Sequence, residues 1–204
     1  MRGAVLNLMG VAAIGLLGLN HDSFTSAREE GFFYVPLAGV AAIAILASLV
    51  CSIAYLRTRN LRFDSAAVGA TEAGLAFLAA AIVNGCCLTA YASGRLWSWD
   101  SALTSALVCW LLYAAYLMLR QSVDEITQRA TYAAVWSIFA FLDIPLAVGA
   151  MSWWKPGVHI PTSWTLPRVV NLGALLLVAI VFAVVRMRQE ELRRDIDSLR
   201  RSAQ

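Results

Sequence analysis

Tryptophan, histidine and cationic side chains collect in two short stretches of this chain. The first runs Gly94-Arg95-Leu96-Trp97-Ser98-Trp99-Asp100-Ser101-Ala102-Leu103-Thr104-Ser105, and the second carries Trp153, Trp154, Lys155, His159 and Trp164. Indole rings stack on flat aromatic surfaces, and a neutral imidazole bonds a metal. Arg95 or Lys155 can meet an anionic group through charge-assisted hydrogen bonds. Together these side chains suit a planar, anionic, metal-bearing ligand. Each tryptophan taken alone is explained as an anchor at a membrane boundary, but five of them in two loops point to a shared surface. Asp100 immediately precedes an apolar run, where its carboxylate can accept the free N–H groups of a first helical turn.

These residues need a scaffold, and the composition says what kind. The 204 residues are 60% hydrophobic and 14% charged, with mean hydropathy +0.68, whereas a soluble domain is about 25% charged. A membrane-crossing helix needs about 20 mostly apolar residues. Runs of that kind fall at 3–19, 32–56, 66–90, 101–119, 131–150 and 169–185. The expected fold is therefore all-α, a polytopic membrane protein of six transmembrane helices. Residues 1–185 would form one membrane domain, and 186–204 a helical tail that continues the last span. In that tail Leu192, Ile196 and Leu199 share a face, and Glu190 with Arg194 and Asp197 with Arg201 are spaced as ion pairs.

Arginine placement sets the orientation, because basic residues in short flanking loops stay on the cytoplasmic side. Arg2, Arg57, Arg59, Arg62, Arg120, Arg129 and the tail arginines fall on one side, against Arg28, Arg95, Lys155 and Arg168 on the other. Both ends are thus expected inside, in the cytoplasmic membrane, with outer loops at 20–31, 91–100 and 151–168. Both tryptophan stretches then share the outer face. The basic pI reflects this asymmetry more than a nucleic-acid surface. The first run has an alternative, a cleaved signal peptide ending near Thr25-Ser26-Ala27.

Two spans carry an acid. Glu72 in the third is costly in lipid unless protonated or paired with an arginine that locks helices together; the other possibility is a functional carboxylate. Asp143 lies before Pro145 near a span end, where a solvated acid is expected. Cys51, Cys86, Cys87 and Cys109 lie in apolar runs without metal-ligand spacing and are expected to pack as small hydrophobes. No glycine-rich phosphate loop is present, so any ATP use belongs to a partner.

The segment Leu96-Trp97-Ser98-Trp99-Asp100-Ser101-Ala102-Leu103-Thr104-Ser105 resembles the WWD signature of haem-handling proteins, and most closely that of the CcmC, or haem exporter C, family of cytochrome c maturation. Phe33-Tyr34-Val35-Pro36-Leu37-Ala38 is similar to that family's start of span two, and Glu72-Ala73-Gly74 to its acidic turn in span three. Leu142-Asp143-Ile144-Pro145, followed by Ser152-Trp153-Trp154 and His159, is similar to its span-five exit and third outer loop. The resemblance implies a non-enzymatic protein that binds haem b at the outer face. Its implied partners are an ABC-type ATPase subunit, a second membrane subunit and a haem chaperone.

Carried over residue by residue, the resemblance makes His159 an axial ligand of the haem iron. By their own chemistry Trp97, Trp99, Trp153, Trp154 and Trp164 would form a stacking platform on the macrocycle, with Asp100 orienting the loop, and Arg95 or Lys155 would meet the propionates. Two departures matter. The family has an arginine after the aspartate where this chain has Ser101-Ala102, and a histidine before Val-Pro where this chain has Tyr34. The second iron ligand is left to Tyr34 or His21. Two other functions fit the bare composition: a small-solute transporter subunit using Glu72 and Asn84, or a membrane redox protein. The latter ordinarily places histidines inside its spans, and these spans contain none.

Overall fold

The computed structural model describes residues 34–146 and 166–202. The expected span at 3–19 with its signal-peptide alternative, His21, and the loop bearing Trp153, Trp154, Lys155, His159 and Trp164 lie outside them. Among the described residues the fold is all-helical, with five long helices: α1 (Tyr34–Thr58), α2 (Leu61–Ser93), α3 (Ser101–Gln121), α4 (Ile126–Phe141) and α5 (Leu166–Ser202). Four of them, α1, α2, α3 and α5, are long and apolar enough to cross a membrane.

Local signals fix where the chain turns. Arg59, at φ 55°, and Asn60 link α1 to α2. The Asn60 carboxamide then accepts the Arg62 N–H at 3.0 Å, capping α2. Gly94 closes α2 at φ 69° and donates its N–H to the Ala90 carbonyl, a left-handed position where a missing Cβ removes the steric cost. Glu125 opens α4 by accepting the Thr127 and Gln128 N–H groups. Neighbours in sequence therefore run antiparallel. One end of the bundle gathers Tyr34, the 94–100 loop and the start of α5; the other gathers arginines.

The helices overrun the apolar runs that foretell them. The third run, 66–90, lies inside α2, which begins five residues earlier at Leu61 and extends to Ser93, because the caps that bound it, Asn60 and Gly94, lie outside the run. Helix α4 has 16 residues, fewer than the ~20 of a full crossing. Residues 143–146 resume helical structure, and 147–150 lie outside the described residues. Helix α5 passes without a break from the apolar run into the charged tail. Its 37 residues make a rod about 55 Å long at 1.5 Å per residue.

Packing relies on small residues and on polar bonds. A Cβ on Gly69 would lie 2.5 Å from the Ala183 carbonyl oxygen, so α2 and α5 meet backbone to backbone there. Without water there is no hydrophobic force between lipid-embedded helices, and close packing with interhelical hydrogen bonds takes its place. A buried hydroxyl seam supplies such bonds: Ser48 Oγ lies 2.7 Å from Thr71 Oγ1 and 3.5 Å from Ser137 Oγ, tying α1 to α2 and α4. The Trp136 indole donates to the Leu112 carbonyl at 2.8 Å, joining α4 to α3.

Two ion-pair groups close the arginine end. Arg120, only 7% exposed, donates to Asp64 at 2.6 and 3.1 Å and to Glu190 at 3.2 Å. Three helices thus share one guanidinium. Arg186 bonds Glu72 through both Nε and Nη2, the latter at 2.6 Å, and joins α5 to α2. Of the alternatives open for Glu72, the structure has the helix-locking pair. Glu190, spaced in sequence for Arg194, reaches across the bundle to Arg120.

Candidate ligand-binding face at the tryptophan end

The six residues between Gly94 and Ser101 would be a slack connection were it not for Asp100. Its Oδ1 accepts the Leu103 N–H at 2.8 Å, and its carbonyl accepts the Thr104 N–H at 3.1 Å. Its Oδ2 accepts the Ser98 hydroxyl. One nearly buried carboxylate therefore caps α3 and pins the preceding loop. Trp97 and Trp99 on that loop touch edge to face, with centroids 5.7 Å apart and planes at 77°. Trp97 is half-buried, while Trp99 is 72% exposed. A fixed loop thus presents one open indole braced by another, with exposed Arg95 two residues before Trp97.

Tyr34 opens α1 at the same end. Its ring lies over Gly85 of α2, where an added Cβ would come within 3.2 Å of Tyr34 Cε2 and 2.6 Å of Leu103 Cδ2. Glycine is required at this crossing because three elements meet over it. Asp100 is near enough to act electrostatically on the Tyr34 phenol. The structure accordingly brings Tyr34, Arg95, Trp97, Trp99 and Asp100 to one face. The predicted partners His159, Trp153, Trp154 and His21 are outside the described residues, so of the expected iron ligands the structure places Tyr34 alone.

Three buried polar atoms around this end have no hydrogen-bond partner: Trp97 Nε1, Thr104 Oγ1 and Asn84 Oδ1. Buried polar groups are ordinarily paired. An open ring, a nearby cation, one unspent indole N–H on the pinned loop and two unpaired oxygens on the adjoining helices suit a flat anionic ligand. Sequence reasoning did not single out Gly85; its importance comes from contacts between segments distant in the chain. Asp143, expected as a solvated acid, is half-buried instead. Cys109 hydrogen-bonds it, and its Oδ2 has no partner.

A multi-pass helical membrane protein with an exposed tryptophan loop at one end is the class these features define. The chain belongs to the cytochrome C assembly protein family, whose profile matches residues 28–159 and so takes in the whole 94–105 segment. It is 28% identical over 179 residues to Heme exporter protein C of Bradyrhizobium diazoefficiens, covering 82% of this chain and 68% of that protein. To Heme exporter protein C of Paracoccus denitrificans it is 26% identical over 180 residues, covering 82% and 75%. A shorter likeness, 43% over 65 residues, links it to the cytochrome c biogenesis protein CcsA of Synechococcus sp. strain CC9311, covering 32% of this chain and 21% of that protein. The resemblance to the haem exporter C family is borne out, and with it a role in cytochrome c assembly.

Proposed function

We propose that this chain binds haem b at the outer face of the cytoplasmic membrane and presents it to a haem chaperone, as the non-catalytic component of an ABC-type complex. The observation that carries this is the exposed Trp99 ring, braced by Trp97 on a loop that Asp100 pins from both sides. Haem supplies a flat macrocycle, an iron needing axial ligands and two carboxylates. The indoles of Trp97 and Trp99, with Trp153 and Trp154 from the third outer loop, stack on the macrocycle. Arg95 meets a propionate. His159 ligates the iron, and Tyr34 or His21 takes the opposite position.

The full topology in this proposal has six spans with both ends in the cytoplasm, supported by the arginine asymmetry. The ATPase and second membrane subunit supply energy and an exit route, because this chain has no phosphate-binding motif. Glu72 bonded to Arg186 is better suited to holding α2 against α5 than to lining a solute path.

The test is an absorption spectrum of the detergent-purified protein with and without added haem. Trp97→Leu with Trp99→Leu should keep membrane insertion, since leucine is favourable in lipid, yet lose haem retention. His159→Ala should abolish most of the Soret band and the cytochrome c yield in cells, with a lesser loss for either Tyr34→Phe or His21→Ala. A wild-type spectrum and yield in His159→Ala would remove that residue from the iron.

A further inference from the structure

We infer that Arg120 and Glu190 are positioning residues that set the depth of the Trp97–Trp99 loop by holding α3 at its far end, and so couple the charged tail to the tryptophan face. Helix α3 is one uninterrupted rod. Asp100 caps its first turn, and Ser122 closes its last by donating to the Met118 and Leu119 carbonyls. The loop is fastened to that rod by the Asp100 carboxylate, so an axial shift of α3 carries Trp97 and Trp99 with it.

What sets the axial position of α3 is a short set of polar bonds. The helix packs mainly on α2 and α4, and in lipid such packing is joined by interhelical hydrogen bonds, whose direction and length fix a register. Toward α4 the bonds are Trp136 Nε1 to the Leu112 carbonyl, at 2.8 Å, and Tyr113 Oη to the Ser137 carbonyl, at 3.5 Å. Toward α2 and α5 it is Arg120, whose guanidinium also lies 5.9 Å from the Tyr116 ring centroid. The bidentate Asp64 bond uses the fork of the guanidinium, and Glu190 takes a further donor. Glu190 belongs to the stretch of α5 beyond Arg186, where Leu192, Ile196 and Leu199 are 61%, 55% and 68% exposed. A load on that protruding stretch is therefore felt first at Arg120, and through α3 at the loop.

The experiment separates this coupling from haem binding, on whose assignment only its second readout rests. Leu96→Cys, on the exposed part of the loop, is labelled with a membrane-impermeant maleimide, and the Leu96 peptide is quantified by mass spectrometry beside the native cysteines. Glu190→Gln keeps size and removes charge; Glu190→Asp keeps charge on a shorter arm; Arg188→Gln breaks a surface pair with Glu191, at 3.6 Å. The expected result is a changed labelling rate for Glu190→Gln, an intermediate change for Glu190→Asp and none for Arg188→Gln. Retention of added haem should fall about fivefold in Glu190→Gln, the low end of coupling between sites. An unchanged labelling rate in Glu190→Gln, or in Glu190→Asp if the first variant does not accumulate, overturns the coupling. Changed labelling in a protein whose wild type holds no haem supports the coupling and sinks the haem assignment instead.

Discussion

Asp100 does two jobs with one side chain, and substitutions divide them. Asparagine caps helix N-termini about as well as aspartate, so Asp100→Asn should keep α3 while weakening the charge-assisted bond from Ser98. Asp100→Ala should lose both, and loss of a cap alone costs about 0.5–2 kcal/mol. Thermal unfolding in detergent should rank wild type, Asn and Ala in that order, and haem retention should follow the same order if the loop's fixity matters. Equal melting for Ala and wild type would show that the cap contributes nothing. The capping role was legible because an acid directly before an apolar run has a local meaning. The crowding over Gly85 was not, since Tyr34, Gly85 and Leu103 are distant in the chain and only the fold brings them together. Nor was the partial burial of Asp143, which depends on Cys109 of a different helix.

Helices, unlike single residues, were foretold by apolar run length, and their ends were displaced where a cap lay outside the run, as at Asn60 and Gly94. What the runs could not announce is which charges would be carried into the bundle. Arg120 reads in sequence as one more flanking cation, yet it is buried against Asp64, 56 positions away. Breaking such a pair by removing one partner strands a charge, at a cost of about 3–5 kcal/mol. Arg120→Met should therefore unfold or fail to accumulate. Adding Asp64→Leu should recover part of the loss, because the stranded carboxylate goes with it. A double variant no better than the single would mean that Glu190, and not Asp64, is the partner that matters. At the α2–α5 crossing, Gly69→Ala places a methyl 2.5 Å from a backbone oxygen, and such overpacking costs about 1–3 kcal/mol. Its effect should appear as reduced accumulation even though alanine is the better helix former.

Across the whole molecule, charge is sorted by end. The arginine end holds Arg57, Arg59, Arg62, Arg120, Arg129 and the start of the tail, while the tryptophan end of the described residues holds Arg95 and Arg168. The ion pairs consume part of that excess, since Arg120 and Arg186 answer Asp64, Glu190 and Glu72. What remains on Arg57, Arg59, Arg62 and Arg129 is still basic, and basic residues close to span ends are the ones that orient a chain. Reporter fusions after residues 60, 125 and 204 should accordingly read cytoplasmic, and fusions near 25, 95 and 160 external. The pair at 60 and 95 tests α2 directly, because the two positions flank one helix. The position near 25 tests the run at 3–19, whose crossing or cleavage decides the side of the N-terminus but leaves every later span oriented as before. External readings at 60 and 204 would invert the bundle, put the tryptophan face inside, and leave haem delivery to an external chaperone without a face to work from.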